Sequence, residues 1–252
     1  MTIGAPPELI QIVDQKKSNK KAEISVIITL YNYQDYIEET LESVYSQNIE
    51  LLDIVVVNDC SKDNSLEVAA QWFAKKGQRF NQYKMLHHKI NQGLGKARNT
   101  AFAQAETEFV FVLDADNLLY PRCLQQHLLG LKNTDASFAF CYLEHFDGAQ
   151  QLGGIDLWNP LSLRNGNTID AMVLHRKKIW EQVNGYSEDM PANGWEDFEM
   201  WFKIASIEGW GVRIPEILAR YRVHYDSMLH QETNVKHVVL WEYIKNKHPR
   251  FF

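Results

Sequence analysis

The stretch Thr107-Glu108-Phe109-Val110-Phe111-Val112-Leu113-Asp114-Ala115-Asp116-Asn117 decides how the rest of the chain folds. A short, almost unbroken apolar run stops at two carboxylates one residue apart. Apolar side chains of both parities suit a central strand covered on both faces. Strands of an open α/β sheet present ligands beyond their carboxyl ends. Asp114 and Asp116, with Asn117 beside them, therefore read as a site for a hard cation and its phosphate cargo. The competing reading is a strand closed by an Asx-type turn, because Asp and Asn are ordinary turn residues.

Upstream, residues 24–30, 53–57 and 82–87 are further apolar, β-branched or alternating runs. Helical spacing follows each of them, over 36–47, over 65–76, and after Asn91–Gly95 through about Ala105. Asp63 or Asn64 can cap the second of these helices and Gly77 can end it. Repeated strand-then-helix units predict an α/β fold, a parallel sheet with right-handed crossovers and helices on its faces. Each strand ends in a polar loop, so the loops around Thr29, Asp59, Asn91 and Asp114 gather on one edge of the sheet. That edge is the expected site. Downstream, the pattern predicts a helix over 121–132, a strand over 136–146, a loop-rich stretch over 148–166, and a strand over 169–175. Helices over 177–183 and 196–207, extended pieces at 211–214 and 217–223, and a last helix over 235–247 complete the chain.

Composition narrows the class. With 252 residues, 45% of them hydrophobic, the chain supports one large domain with a sizeable core. A formal net charge of −6 argues against a general nucleic-acid binder. Cys60, Cys123 and Cys141 have no zinc spacing, which predicts free thiols and a cytoplasmic setting. No apolar run approaches the roughly 18 residues that span a bilayer, which leaves peripheral membrane association open.

The polar residues of the shared edge carry the chemistry. Asn91-Gln92-Gly93-Leu94-Gly95-Lys96 lacks the first glycine of a P-loop and any hydroxyl after Lys96, and Arg98 stands where a dinucleotide fingerprint has its third glycine. An ATPase or nicotinamide enzyme is therefore disfavoured. The glycines, Lys96 and Arg98 at a helix start can still approach a nucleotide and neutralise phosphate, or Gly93 and Gly95 only shape a turn. Asp59, at a strand end, reads equally as a partner for a base or ribose and as a turn cap. Glu196-Asp197 opens a helix whose dipole favours anions; it reads as a general base or as routine helix dressing. His224 is a candidate third metal ligand, whereas His87 and His88 have no acid near them in sequence. Trp158, Trp195 and Trp210 suit sugar stacking or the core.

Six segments in one order resemble the family 2 glycosyltransferases. They are Ser25 to Asn32, Val55 to Ser65, Asn91 to Asn99, Phe111 to Asp116, Gly194-Trp195-Glu196-Asp197, and Tyr221-Arg222-Val223-His224. The resemblance implies a GT-A fold and an inverting, metal-dependent transfer of sugar from a nucleotide-sugar, a UDP-sugar foremost, to a saccharide or lipid-linked hydroxyl. It implies that Thr29, Tyr31 and Asp59 surround the base, and that Asn91, Lys96, Arg98 and Asp114 line the nucleotide pocket. Asp116, with Asp114 and His224, would hold Mn2+ or Mg2+. Asp197 would be the base, with Glu196, Trp195 and Gly194 near the sugars. The organisation it implies is a polar leader over 1–23, one domain over 24–224 with nucleotide-binding (24–120) and acceptor-binding (121–224) halves, and a tail over 225–252. A non-catalytic nucleotide-sugar-binding or scaffold domain is the alternative, and a nucleotidyltransferase lacks its glycine-rich loop after the first strand. The Gln-x-x-Arg-Trp segment and membrane helices of processive members are missing, which argues against synthesis of a long homopolymer by this chain alone.

Overall fold

Parity sorts the central strands onto two cores. In the computed structural model, which describes residues 3–154, 156–224 and 235–252, β2 (Ile24–Leu30), β3 (Leu52–Asn58), β4 (Gln82–His88) and β5 (Phe109–Asp114) run parallel. Val26, Ile28, Phe111 and Leu113 face one core, while Ile27, Val110 and Val112 face the other. Alternation of side chains along a strand requires both layers to be apolar when helices cover both faces. Helices α1 (Ile37–Tyr45), α2 (Ser65–Lys76) and α4 (Cys123–Lys132) add Leu41, Phe73 and Leu124 to the first core. The second core takes Phe102 from α3 (Leu94–Gln104), Phe202 from α6 (Glu196–Ser206) and Ile244 from α7 (His237–Lys247).

Sheet order explains why the site lies where it does. With β1 (Ile10–Lys16), β6 (Leu118–Leu119), β7 (Phe138–Asp147), β9 (Leu174–Arg176) and β10 (Gly211–Val223), the described strands run β1-β4-β3-β2-β5-β9-β7-β10-β6, and β8 (Leu152–Gly153) pairs with β7. From β2 the chain steps outward to β3 and β4, then returns through α3 to β5 on the other side of β2. Order reverses there, and crevices at such switch points are where open α/β sheets take ligands. Thr29 and Asp114 are register partners across that seam.

Three expectations change. The leader is not outside the sheet: residues Ile10–Lys16 form β1, antiparallel on the edge of β4. Backbone groups of that edge find partners regardless of the leader's polarity. The pieces at 211–214 and 217–223 are one strand, β10 (Gly211–Val223), parallel to β7 through irregularities near Ile214 and Ile217. Pro215 lacks the N–H that regular pairing needs there. Of the strand expected over 169–175, only β9 (Leu174–Arg176) forms, antiparallel between β5 and β7. The short β6 (Leu118–Leu119) pairs β10, and α5 (Lys177–Gln182) follows β9. Residues 225–234 of the expected tail and Ile155 of the loop-rich stretch lie outside the described residues.

Candidate active site

The two carboxylates of the opening stretch part company. Asp114, whose side chain is 28% exposed, accepts from Arg98 Nη2 at 2.8 Å. Asp116 is buried and lies 3.0 Å from His224 Nε2 through its Oδ2. Burial raises the Asp116 carboxyl above the ordinary range, and nearby Asp114 adds to that while His224 opposes it. Asn117 turns inward: its Oδ1 accepts the Arg222 N–H at 2.8 Å. Arg222 also donates from Nε to the Asp116 carbonyl at 2.9 Å and pairs with Glu39 and Asp147. Its guanidinium lies over the Tyr36 and Phe146 rings. This buried arginine fastens the turn after β5 to β10. Its place in Tyr221-Arg222-Val223-His224 carries no local signal for this fastening role.

Arg98 is the cation at the centre. It is 3% exposed, its Nε has no hydrogen-bond partner among the described residues, and it stacks over Tyr186 at 5.5 Å. Burial alone would lower its pKa, but Asp114, then Tyr186, Glu196 and Asp197, raise it above the ordinary value. The acids across from it stand at the start of α6. Burial pushes Glu196 up to about 7 although Arg98 opposes this, and Glu196 also accepts the Gly194 N–H at 2.7 Å. Asp197 is raised by burial as well, and is held by Asn167 Nδ2 at 2.8 Å. A carboxylate with a raised pKa at a helix N-terminus is a better base than a free one, yet the dipole still favours its ionised form.

Sequence reasoning missed Asp170. It accepts the Met172 N–H at 2.9 Å, and burial, then Asp114, push it up to about 8, with Asp197 adding and Arg98 opposing. The Tyr221 and Tyr33 phenols are raised by burial and by the same acids. A polar run before the apolar residues 171–174 was the sole sequence hint at Asp170, and such runs usually mean a turn.

On the nucleotide side, Thr29 is half-buried at the end of β2 and Tyr31 is exposed beyond it. Asp59 is more than a cap. Its Oδ1 accepts from Gln92 N–H at 2.8 Å and lies 2.7 Å from His88 Nδ1, and its Oδ2 accepts Gly93 N–H at 2.9 Å. The acid that seemed missing for His88 therefore comes from the neighbouring strand. Exposed Asn91 donates from Nδ2 to the Asp59 carbonyl at 2.9 Å, and half-buried Lys96 has no hydrogen-bond or ion-pair partner among the described residues. Gly93, at φ +85°, starts α3 in a conformation L residues rarely adopt. Gly95 serves packing: a Cβ there would meet the Ser187 carbonyl oxygen at 2.6 Å. The tryptophans each have a structural partner, and Trp158 and Trp195 remain half-buried. Trp158 packs on Phe138, Trp195 on Phe198 and Trp241, and Trp210 lies at the start of β10, the end of the sheet remote from His224, bonded to Asp135 at 3.1 Å.

Asp116 and His224 have the chemistry to hold a divalent cation. Oδ2 of Asp116 and Nε2 of His224 are 3.0 Å apart, the spacing of neighbouring ligands each about 2.1 Å from one ion. His224 Nδ1 is buried with no partner among the described residues, and the acids repel one another, so a cation is electrostatically welcome. Among the described residues no group of three or more His, Cys, Asp or Glu side chains converges on one point. The fit is therefore to an ion sharing its remaining positions with substrate and water.

The sequence profile of glycosyl transferase family 2 matches residues 25–174. The chain belongs to glycosyl transferase family 2. An uncharacterized glycosyltransferase of Haemophilus influenzae is 29% identical over 80% of this chain and 65% of its own length. Putative glycosyltransferase EpsE of Bacillus subtilis is 24% identical over 83% and 75%, and alr2836 of Nostoc 36% over 63% and 47%. The chain thus spans just under two thirds of the Haemophilus relative and about half of the Nostoc one. Staphylococcus aureus TarS, crystallised with UDP-GlcNAc, superposes with TM-score 0.70 at 21% identity, covering 83% of this chain and 61% of that one. The mannosyltransferase PcManGT from Pyrobaculum calidifontis, with GDP-Man and Mn2+, also gives 0.70, at 19% identity and 92% and 66% coverage. The GT-A fold implied by the family 2 motifs is the fold of this chain. No helix among the described residues is long and apolar enough to cross a membrane.

Proposed function

We propose that this family 2 domain transfers a sugar from a UDP-linked donor to an acceptor hydroxyl with inversion, and that Asp197 is the base. One observation carries the reading: the buried Arg98 pairs with Asp114 at the end of β5, and its charge also acts on Asp197, whose carboxyl pKa burial raises. Base and nucleotide-side residues thus share one charge system.

Asp197 takes the acceptor hydroxyl proton while that oxygen forms the new bond to the anomeric carbon. The bond from that carbon to the diphosphate oxygen breaks, its electron pair leaves with UDP, and attack from the opposite face inverts the centre. Asn167 aims the Asp197 carboxylate, and Arg98 keeps it from gaining a proton too readily. Glu196, bonded to the Gly194 N–H, shapes the turn that presents Trp195 and Gly194 to the sugars. Asp116 and His224, with Asp114 nearby, would hold Mn2+ or Mg2+, which offsets charge on the departing diphosphate. Thr29, Tyr31, Asp59, Asn91 and Lys96 bind the nucleotide. The UDP-GlcNAc of TarS and the GDP-Man and Mn2+ of PcManGT support a nucleotide-sugar donor and a divalent ion. Free Cys60, Cys123 and Cys141 support a cytoplasmic setting. The acceptor class is a saccharide or lipid-linked glycan under assembly for the cell surface.

Asp197→Asn tests the reading. UDP release in the presence of acceptor is expected to fall by about 100–10,000-fold with UDP binding retained, and unchanged turnover would remove Asp197 from the role.

A further inference from the structure

Behind Asp59 runs a buried chain of hydrogen bonds that the reaction itself does not use. His88 is fully buried, with Nδ1 2.7 Å from Asp59 Oδ1 and Nε2 3.1 Å from Thr100 Oγ1. Thr100 Oγ1 accepts the Ala5 N–H at 2.9 Å. The chemistry of the partners assigns the proton positions. An ionised carboxylate only accepts, so Nδ1 carries the proton toward Asp59. In a neutral imidazole the other nitrogen, Nε2, accepts, and Thr100, which accepts from Ala5, donates its own hydrogen to it. The segment ahead of β1 packs hard on this chain, since a Cβ on Gly4 would lie 2.9 Å from the Thr100 nitrogen. Gly4 N–H also donates to Glu188 at 2.7 Å, in the loop that leads to Asp197.

Two lone pairs of Oδ1 are taken by His88 and Gln92, and one of Oδ2 by Gly93. A carboxylate has about four such positions, so among the described residues one on Oδ2 is left, and 5% of the side chain remains open. We infer that His88 is a positioning residue for nucleobase choice: backed by Thr100 and the Ala5 N–H, it fixes the rotation of Asp59 so that the last lone pair of Oδ2 accepts an N–H from the base. Uracil offers its N3–H to that lone pair. Cytosine presents a bare N3, lone pair against lone pair, and is rejected. A site built around one hydrogen bond discriminates strongly against an analogue that lacks the donor. The inference rests on the proposed nucleotide-binding role of Asp59.

Calorimetric titration of the full chain with UDP and with CDP tests it. Wild type is expected to bind UDP the more tightly. In His88→Gln the amide sits where Nε2 was, the donor to Asp59 is lost, and the UDP-to-CDP affinity ratio falls on the order of tenfold. In His88→Asn the amide replaces Nδ1 and the ratio survives. Equal weakening of both nucleotides by His88→Gln, or an unchanged ratio, overturns the inference while leaving the proposed function standing. Wild type that binds neither nucleotide overturns both. If His88→Gln does not fold, Thr100→Val decides: it removes the hydroxyl between Ala5 and His88, so a lowered ratio supports the inference and an intact one overturns it.

Discussion

Arg98 Nη2 and Asp114 Oδ1 meet at 2.8 Å across the seam where the strand order reverses. The contact joins α3 to β5, and it brings a buried positive charge within the field of Glu196 and Asp197. Four carboxylates, Asp114, Asp170, Glu196 and Asp197, thus feel this one guanidinium. Arg98→Met is expected to cost about 1–3 kcal/mol, less than for a fully buried pair because Asp114 can turn to water. Arg98 holds the Asp197 pKa down, and the base must be ionised to work. The acid limb of the rate profile should therefore move to higher pH in the variant. A limb at the wild-type position would show that the two residues are not coupled.

Asp116 and His224 are the partners expected to hold the cation. In Asp116→Asn, Mn2+ affinity measured by paramagnetic resonance should fall on the order of 10–100-fold. Metal-free UDP binding should hold or improve, because a negative charge facing the diphosphate has gone. Chelation of the metal should abolish turnover in the wild type. Undiminished Mn2+ binding in the variant would move the ion elsewhere.

Asp170 supplies a stability test with a definite sign. Its folded pKa is pushed up to about 8, against about 3.9 in an unfolded chain. Between those values the folded protein keeps a proton that the unfolded chain has lost. Its contribution is complete below about pH 4 and disappears as pH rises through about 8. In chelator, Asp170→Asn should therefore raise Tm at pH 8 to 9 by a few degrees, roughly the shift a 1 kcal/mol change produces. That gain should shrink toward pH 5. A gain that is the same at both ends would mean the carboxyl does not titrate in this way.

Gly95 tests the packing between the two halves. A methyl group there would press on the Ser187 carbonyl oxygen at 2.6 Å, with Glu196 Cγ at 3.6 Å. Gly95→Ala improves intrinsic helix propensity, so a gain would follow if propensity decided. Backbone against backbone cannot yield cheaply, and overpacking of this kind costs about 1–3 kcal/mol. Urea denaturation should show the midpoint moving down with an unchanged slope.

Much of the fold was legible from hydrophobic pattern. Residues 109–114 are apolar at both parities and became a central strand; residues 65–76 became α2 between Asn64 and Gly77, as spaced. The polar leader hid β1 because that strand carries no fully buried side chain, a pattern compatible with an edge that needs only backbone pairing.

The sequence by itself determined the fold class, the order of the polar loops along one sheet edge, and the acids and basic residues those loops carry. It did so because strand and helix periods, and turn chemistry at strand ends, are local properties. Tertiary structure alone decided the pairings. It sent Asp114 to Arg98 and Asp116 to His224, set His88 against Asp59 from the adjacent strand, and drew Asp170 into the acidic cluster. Those outcomes depend on burial and on distances between residues far apart in the chain, and spacing along a sequence carries neither.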